Sequence, residues 1–566
     1  MNKNTVLAFL LIALILILMP EYYRMIGLVK DRPLEETTGE PSQNDIINHR
    51  NSTTKIQETT TPKSFVAHTP LGTQTFPAKP DSIPEAIITI ETDLYTATVS
   101  SRGGGTLQSF LLNNYDFWNG GKVDLVDTNQ NGGNPLLAIR LGASVDTLTS
   151  VFSLEDYRGG EVLQVKREPL TLTYYFNDLP SGIRAIKKLT FLPNSYLISV
   201  DAEVVSGSVT PEIHLLWSGG LPFTEKNVKD DITYLGAILY QGGEIFKLSN
   251  SEDKSIGSKA QTAWAAVRTK YFISALIPEG GAPLGEISTT KTGETSQFNA
   301  QLGFYGSQAE TNIFLGPLRY DLLTDLGVGL EQTMSLGWSP IRPIGKSILW
   351  ILTNLYSIIP NYGVLLIVFS ILVKVLLHPL TRKSYKSTKE MQAIQPLITE
   401  LRQKYKGDPQ RLNQETMKLY KEHGVNPLGG CLPMLLQMPI LIALFTVFRS
   451  TIEFRGAPFI LWISDLSQPD QLFNLPFTIP FLGWNTFNVL PILMGATMIY
   501  QQKTMSVQSP SQQKSFMYIM NGFFLIIFYS FPSGLNLYYT CFNLLTIFQQ
   551  KYMIKSPPPA TLTKGK

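Results

Sequence analysis

The sequence predicts a multi-domain membrane protein, in which an all-α polytopic bundle accompanies a large β-sandwich domain and a helical hairpin. Three observations predict this architecture. Long apolar runs are confined to the N-terminus and to the region after Ile341, short strand-like runs fill the region between them, and basic residues gather in the loops on one side of the spans. At 566 residues the chain is long enough for several domains.

The N-terminal region predicts an anchor followed by a linker. Val6 to Met19 form an unbroken apolar run preceded only by Lys3, a pattern typical of export signals, and no small-x-small cleavage motif follows. We therefore predict an uncleaved signal-anchor span over residues 1–30, with a cleaved signal peptide as the alternative. Residues 31–81 are rich in Thr, Asn, Pro and Glu, which predicts a flexible linker.

Residues 82–340 predict one large β-sandwich. Runs such as Leu170-Thr-Leu-Thr-Tyr-Tyr-Phe alternate with turn clusters such as Gly103-Gly-Gly, as expected for many short strands. This region holds one histidine, His214, and no cysteine, so it cannot build a zinc site or a Cys/His pair from the usual ligands. We predict no catalytic residue, no metal site, no cofactor and no enzymatic activity.

The region after the β-sandwich predicts the membrane core. Apolar residues at helical spacing predict an amphipathic helix lying at the membrane surface over residues 341–361. Residues 362–550 then contain five candidate spans, at about 363–380, 431–448, 484–500, 516–531 and 535–550. Spans of this length reach only ~24 to 27 Å, less than the ~30 Å hydrocarbon thickness. Either flanking residues snorkel, or the bundle thins the bilayer locally.

The distribution of charge predicts the orientation. Residues 381–426 hold ten Lys/Arg against five Asp/Glu, and the short basic tail at 551–566 carries four lysines and no acid. In contrast, residues 450–483 contain one arginine and three acids. Because basic loops stay in the cytoplasm, we expect both termini inside and the β-sandwich outside. The two cysteines, Cys431 and Cys541, lie in apolar runs and predict no disulfide framework.

Lys374 is the residue that most strongly indicates function. A lysine with several apolar residues on each side is costly to insert, by about 2.5 to 3.5 kcal/mol, and normally faces a bundle interior or a water-filled cavity. The alternative is that its long side chain snorkels to the cytoplasmic end of the span, about seven residues away. Polar residues on several spans favour a hydrated groove instead: Ser370, Gln437, Thr497, Gln501, Asn536, Tyr539, Thr540 and Asn543.

Residues 381–426 predict a cytoplasmic helical hairpin. Apolar residues step by three and four along its first arm, from Met391 to Tyr405, and Gly407-Asp408-Pro409 supplies a turn and an N-cap. The second arm closes at Gly424. Its basic surface is either a solvated face or a contact site for anionic lipid or ribosomal RNA, with no role for DNA; it comprises Arg382, Lys383, Lys386, Lys389, Arg402, Lys404, Lys406 and Arg411.

Several motifs resemble a known family. These are the Pro379-Leu-Thr end of the second span, the run from Val425 to Ile440, the run from Ala457 to Leu466, the Leu490-Pro-Ile-Leu-Met-Gly run, and Phe531-Pro-Ser-Gly-Leu-Asn-Leu-Tyr-Tyr. In sequence and in order they resemble the YidC/Oxa/Alb family of membrane protein insertases, and the resemblance covers nearly the whole chain.

The resemblance implies an inner-membrane insertase and chaperone with a hydrophilic groove, where Lys374 occupies the position of the usual arginine. It places Ser370, Gln437, Tyr538 and Tyr539 at the groove. The outer, periplasmic domain resembles the β-supersandwich of sugar mutarotases and is expected to act as a non-catalytic scaffold. The implied partners are nascent membrane proteins, the Sec translocon (SecYEG and SecDF), the phospholipid bilayer and, through the hairpin, the ribosome and the signal recognition particle machinery.

Two other functions stay open at the level of sequence. A buried cation among polar spans is also compatible with a small-solute transporter or channel, although no inverted repeat is visible. The second alternative is a membrane-anchored carbohydrate-binding β-domain.

Overall fold

The computed structural model describes residues 84–554, except for 127–133, 142–143, 156, 158, 179–181, 207–209, 250–252, 293–294, 426–431, 480–481 and 506–510. The predicted anchor at 1–30, the linker at 31–81 and residues 555–566 of the tail lie outside the described residues. The described residues from 84 to 505 and from 521 to 554 belong to one compact unit.

The first part of the described chain is a β-rich domain of three sheets. A five-stranded sheet contains β1 (Ile87–Glu91), β2 (Tyr95–Ser100), β3 (Thr106–Asp116), β4 (Lys122–Asp124) and β8 (Val162–Gln164). A second sheet has nine strands: β7 (Ser153–Leu154), β9 (Leu170–Asp178), β10 (Ile183–Phe191), β11 (Leu197–Ser206), β13 (Gly236–Gln241), β14 (Glu244–Ser249), β16 (Thr262–Arg268), β17 (Phe272–Pro278) and β20 (Gln308–Pro317). Their order in the sheet is β14-β13-β16-β17-β20-β11-β10-β9-β7.

A six-stranded sheet packs against the nine-stranded one. Its strands are β5 (Asn134–Leu141), β6 (Ser144–Thr147), β12 (Glu212–Ser218), β15 (Lys254–Ser258), β18 (Leu284–Thr292) and β19 (Thr295–Tyr305). Their order in the sheet is β15-β18-β19-β12-β5-β6. Alternating apolar side chains from the facing strands, together with Trp217 and Trp264, fill a shared core. The prediction of a large β-rich domain in this region is therefore confirmed.

β10 shows how alternation builds this core, and where it is broken. Ile183, Ala185, Leu189 and Phe191 point inward and are buried, while the inward position between them is Lys187. Its ammonium donates a hydrogen bond to the Gly103 carbonyl oxygen at 3.3 Å. Burial lowers the pKa of Lys187 to about 7, because the charged form loses its hydration in an apolar interior.

The helices are α1 (Val228–Tyr234) and α2 (Tyr320–Asp325) in or beside the β-rich domain, followed by α3 (Arg342–Tyr356), α4 (Tyr362–Ala393), α5 (Gln395–Lys404), α6 (Pro409–Glu422), α7 (Leu432–Ser450), α8 (Val489–Met505), α9 (Ser511–Phe528) and α10 (Ser533–Ile554). Short 3₁₀ turns occupy Leu330–Thr333 and Ile452–Phe454. Between α7 and α8 lies a two-stranded hairpin of β21 (Gln471–Ile479) and β22 (Trp484–Asn488).

The helical core is built around α4 and α10. α10 packs against both α4 and α8, and α7 packs against α3 and α4. Among the described residues, one stretch, Tyr362–Arg382 of α4, is long and apolar enough to cross a membrane, with a mean hydropathy of 2.3. Gln437–Ser450 and Tyr518–Phe528 are shorter apolar helices.

One predicted span boundary is wrong. Trp484–Asn488, placed at the start of a span, is the strand β22, and its helix begins only at Val489. A short apolar run cannot be assigned to strand or helix from periodicity alone. The helix that contains the span predicted at 363–380 continues to Ala393 through Pro379. Proline removes one backbone donor without ending this helix, and the Thr381 hydroxyl donates to the Leu377 and His378 carbonyl oxygens in the same turn.

α5 and α6 pack against each other through a small apolar cluster. Ile394, Ile398 and Val425 are buried at its centre. The Asp408 carboxylate accepts a hydrogen bond from the Arg411 backbone N–H at 3.0 Å and caps α6, as its position before Pro409 predicts. Gly424 follows α6 with a φ of 64°, a left-handed conformation that glycine adopts without steric cost.

An ion-pair network joins the helical core to the β-rich domain. Asp230 of α1 accepts a hydrogen bond from Arg449 of α7 at 2.5 Å and another from Lys270 at 2.9 Å. Burial acts to raise the pKa of Asp230, but the two cations outweigh it and hold that pKa below its usual value. Asp230 is therefore ionised at neutral pH and couples the two parts electrostatically.

Candidate functional site

Lys374 lies on the inward face of α4 and contacts α10. The side chain is 9% exposed, and its ammonium donates a hydrogen bond to the Thr546 hydroxyl oxygen at 2.7 Å. The ammonium also lies 4.7 Å from the centroid of the Phe542 ring, within the range of a cation–π contact. Both contacts come from α10, so the charge is directed across the helix pair.

A column of buried polar side chains runs along α10. Its members recur every three or four residues and therefore share one face of the helix: Asn536, Thr540, Asn543, Thr546 and Gln550. This polar column faces Lys374 on α4 through Thr546, and Thr497 on α8, whose hydroxyl oxygen accepts a hydrogen bond from the Asn543 amide at 3.3 Å. Three helices thus contribute polar groups to one interior.

The remaining predicted groove residues lie at different depths. Ser370 is buried one turn before Lys374, and its hydroxyl donates to the Ile367 carbonyl oxygen at 2.7 Å. Gln437 of α7 is half-buried and faces the Tyr539 hydroxyl without a hydrogen bond of good geometry. Gln501, near the end of α8, is half-buried.

Several polar atoms in this interior have unused hydrogen-bonding capacity. The Asn536 side-chain amide donates to the Phe528 carbonyl oxygen at 3.1 Å, but its side-chain oxygen Oδ1, like the Tyr538 and Tyr539 hydroxyls, has no hydrogen-bond partner among the described residues. A buried polar group without a partner costs about 1 to 3 kcal/mol. Water or a polar peptide entering this interior would remove that cost.

The opposite face of α4 is apolar and exposed. Ile371, Leu372, Val375 and Leu376 are 40 to 69% exposed, whereas Lys374 and Ser370 are buried. On α10 the Phe548 side chain is 78% exposed, away from the polar column. In water such helices turn their apolar face inward, so this reversed arrangement is typical of helices surrounded by lipid.

Sequence reasoning missed two members of the column. Thr546 is the direct partner of Lys374, and Gln550 is almost fully buried one turn further on. Their signal was present, because Asn543, Thr546 and Gln550 continue the three-and-four spacing that Asn536, Thr540 and Asn543 begin.

A large open cleft lies away from this column. Its volume is about 2250 Å³, and its lining includes Trp118 and Arg319 beside the β-rich domain with Trp350 and Glu453 of the helical core. No residue of the polar column lines it. Within the part of the chain that the structure describes, no group of three or more His, Cys, Asp or Glu side chains is placed to hold a metal ion.

Two family models match adjoining parts of this chain: the YidC periplasmic domain over residues 87–351 and the 60Kd inner membrane protein over residues 354–559. A membrane protein insertase YidC from Pelodictyon phaeoclathratiforme is 37% identical over 498 residues, which cover 84% of this chain and 84% of that protein. Another, from Chlorobium luteolum, is 35% identical over 589 residues, which cover 99% of this chain and 97% of that protein. The chain belongs to the YidC family of membrane protein insertases.

The two family matches meet within α3, the first helix of the helical core, so they divide the chain into the β-rich domain and the helical core. A crystal structure of an active YidC insertase is also similar to this chain. The match covers 83% of this chain and 95% of the insertase chain, with 18% sequence identity and a TM-score of 0.36. Membership of the YidC family rests on the sequence matches, which extend over nearly the full length of this chain.

The basic residues predicted to form a docking surface lie on the last part of α4, on α5 and α6, and in the turn between α5 and α6. Most are exposed, namely Arg382, Lys386, Arg402, Lys404, Lys406 and Arg411. Lys389 is half-buried, and the Lys383 side chain lies outside the described residues. Lys386 pairs weakly with Glu390 at 3.9 Å, so this surface keeps most of its positive charge.

Proposed function

We propose that this protein inserts integral membrane proteins into the inner membrane and helps them to fold, acting without enzymatic chemistry, either alone or with the Sec translocon (SecYEG and SecDF). The observation that carries the proposal is the pairing of Lys374 with a neutral hydroxyl. Within the described residues its hydrogen bond goes to Thr546, and no carboxylate forms an ion pair with it. A buried cation without a counter-ion attracts an incoming acidic or polar group.

The polar column provides the receiving surface in this proposal. A polar flank of the nascent substrate rests beside Lys374, where it replaces the bond to Thr546 and satisfies the open hydroxyls of Tyr538 and Tyr539. Gln437, Thr497, Gln501 and Asn543 extend the same surface toward α7 and α8. The substrate pays less for leaving water because these groups replace its hydration.

The apolar segment of the substrate follows a different path. It slides along the exposed apolar side of the bundle, which includes Val375 and Leu376 of α4. Burial of its apolar surface in lipid, at roughly 25 cal/mol per Å², drives its release from the protein. The proposed steps use no nucleotide.

Lysine in place of the family's usual arginine changes the kind of binding that we expect. Lysine keeps the positive charge, but it lacks the planar fork that pairs with a carboxylate through two parallel hydrogen bonds. We therefore propose that Lys374 attracts substrate through its charge and does not hold it in a fixed geometry.

We propose a topology with both termini in the cytoplasm, the β-rich domain in the periplasm, an anchor span at 1–30 and five spans in the core. The exposed apolar faces of α4 and α10 support the membrane placement, and the basic segment 381–426 supports the orientation. A cysteine introduced at Lys404 should react with an impermeant thiol reagent only after spheroplasts are opened, whereas one at Tyr305 of β19 should react before.

We also propose that α5, α6 and the end of α4 dock the ribosome and the signal recognition particle machinery, with anionic phospholipid as a further contact. The support is the exposed basic surface. Reversing Arg402, Lys404 and Lys406 to glutamate should weaken ribosome co-sedimentation and reduce its salt dependence. Reversing Lys122, which is exposed on β4 of the β-rich domain, should leave both unchanged.

Crosslinking to a stalled nascent membrane protein tests the proposed path. A photoreactive residue replacing Tyr538 should crosslink to the polar flank of the substrate, and one replacing Val375 should crosslink to its apolar segment. The same probe at Tyr305 should give no product. Equal crosslinking from all three positions would show nonspecific proximity and reject the proposed groove.

A further inference from the structure

The β21–β22 hairpin carries an exposed apolar surface at the end of the bundle nearest the β-rich domain. Its sequence from Gln471 to Asn488 contains no Asp, Glu, Lys or Arg. Leu472 and Phe477 are 44% and 61% exposed. An uncharged hairpin that exposes several large apolar side chains is unusual for a loop in water and indicates an interaction surface.

The preceding loop exposes a second apolar side chain at a conformational cost. Leu461 has a φ of 57°, a left-handed conformation that is favourable for glycine and tolerated by asparagine but strained for leucine, and its side chain is 85% exposed. A glycine would form the same turn between Phe459 and Ile463 without strain. The strained leucine therefore indicates that this loop presents an outward-facing apolar side chain.

One buried carboxylate fastens the loop and the hairpin to the bundle. The Asp470 Oδ2 atom accepts hydrogen bonds from the Trp462 indole N–H at 3.2 Å and from the backbone N–H groups of Val489 and Leu490 at 2.9 and 2.7 Å. It thus links the residue after Leu461, the start of β21 and the first turn of α8.

Tyr529, just after α9, fastens the other strand. Its ring stacks on Trp484 of β22 with centroids 3.6 Å apart, and its hydroxyl donates to the Thr486 carbonyl oxygen at 2.7 Å. The Asn488 amide side chain donates to the Tyr529 carbonyl oxygen at 2.9 Å. The apolar surface is therefore held at a fixed height above the ends of α8 and α9.

The surface continues directly into the lipid-facing side of the helices. α8 begins immediately after β22 and exposes Ile492 and Leu493, and α9 exposes Ile526 near its end. Trp484, beside the turn of the hairpin, and Tyr529, on which it stacks, are residue types typical of the boundary between membrane and water. Continuity with this apolar surface, together with the lack of charge, favours lipid over an aqueous partner.

We propose that Leu461 and the β21–β22 hairpin form an anchor that inserts into the headgroup–acyl boundary of the outer leaflet of the lipid bilayer. The anchor fixes the depth of the outer ends of α8 and α9. The inference rests on the proposed placement of the bundle in the membrane, and it is separate from the insertion activity.

Fluorescence quenching in vesicles of phosphatidylethanolamine and phosphatidylglycerol tests this anchor. In the full-length chain carrying C431S and C541A, single cysteines replace Leu461, Phe477, Val375 or Tyr305, and each is labelled with an environment-sensitive dye. Val375 reports on the membrane-exposed face of α4. Tyr305 is the last residue of β19, and β20, which follows it, runs about 30 Å before the chain reaches the helical core. The dye at position 305 is therefore expected to lie in water.

Dyes at positions 461 and 477 should emit further to the blue than the dye at 305, and shallow spin-labelled lipids should quench them more than aqueous iodide does. If only the Val375 dye is quenched by lipid, the anchor is rejected while the membrane placement stands. Dyes at 461 and 477 that are shielded from both quenchers would mean that protein covers the surface, which also rejects the lipid anchor. Failure of lipid quenching at Val375 as well would reject both proposals.

Discussion

Arg455, in the loop after α7, donates a hydrogen bond from its Nε atom to the Glu225 carboxylate of the β-rich domain at 2.6 Å, and both side chains are buried. The Thr224 hydroxyl donates to the same Glu225 oxygen at 3.0 Å. Removing one partner of a buried ion pair leaves the other charge without compensation, which is more costly than the pair itself is stabilising. The pair therefore ties the β-rich domain to the helical core.

Arg455→Ala should destabilise the junction by about 3 to 5 kcal/mol, because it leaves the Glu225 carboxylate buried and unpaired. Thermal unfolding of the purified protein in detergent, followed by limited proteolysis at the junction, measures this effect. Lys122→Ala is the matched control, since it breaks an exposed pair with Asp116 and should change stability by less than about 1 kcal/mol. Equal melting temperatures for Arg455→Ala and the unaltered protein would contradict the role of the pair.

Lys187→Met should stabilise the β-rich domain at neutral pH. Burial lowers the pKa of Lys187 to about 7, so between pH 7 and the ordinary lysine pKa the unfolded chain binds more protons than the folded one. Stability should therefore rise with pH across this window in the unaltered protein and stay flatter in the variant. At pH 7 the gain is at most about 3 to 5 kcal/mol, from ~1.4 kcal/mol per pKa unit.

Lys188→Met is the control for that measurement, because Lys188 is the next residue of β10 and is exposed. It should leave both the melting temperature and its pH dependence unchanged. The explanation would be wrong if the two methionine variants behaved alike.

Thr546→Val should weaken insertion, because the Thr546 hydroxyl, which accepts the hydrogen bond from the Lys374 ammonium, holds that charge toward the polar column before the substrate arrives. Thr546→Ser keeps that hydroxyl and should retain activity. Thr446→Val is the matched control, since its hydroxyl donates to the Ala443 carbonyl oxygen within α7 and Thr446 does not belong to the polar column. Insertion rates in reconstituted vesicles, at matched protein content, distinguish the three variants. Equal rates for Thr546→Val and Thr446→Val would contradict the special role of Thr546.

The sequence predicted the features of the site that depend on one residue or one helix. Lys374 was visible as a charge in an apolar run, and the spacing of Asn536, Thr540 and Asn543 placed a polar face on α10. The open hydroxyls of Tyr538 and Tyr539 were not predictable, because satisfaction of a hydrogen bond depends on the neighbouring helices.

The β-rich domain was predictable from alternation, whereas β22 was not. The apolar residues Phe487 and Val489 give the end of this loop the hydrophobicity of a span. The predicted span at 484–500 therefore extends over the strand-favouring residues around Thr486. The junction ion pairs were also invisible in sequence, because Arg455 and Glu225 are 230 residues apart, with β13 to β20 and α1 to α7 between them.

Gly363→Ala should destabilise the core. A Cβ atom added to Gly363, in the first turn of α4, would lie 2.0 Å from the Phe459 Cδ2 atom, so the loop that carries Leu461 must shift. Overpacking of this kind costs about 1 to 3 kcal/mol. Gly522→Ala in α9 meets no described atom within 4 Å and should be neutral or stabilising by about 0.5 to 1 kcal/mol. Melting temperatures in one detergent compare the two alanine variants directly.

The most direct test of the central claim is the rate at which a dependent membrane protein inserts into vesicles containing Lys374 variants. We predict that Lys374→Arg retains activity and that Lys374→Ala lowers the rate by roughly ten- to a hundredfold, since a hydrogen bond to a charged group contributes about 1.5 to 3 kcal/mol and each ~1.4 kcal/mol is a factor of ten. Lys374→Glu should lower it further, because it repels acidic substrate flanks, and Lys503→Ala, at an exposed lysine of α8, should have no effect. Unchanged rates for Lys374→Ala and Lys374→Glu would contradict the claim that the buried charge receives the substrate.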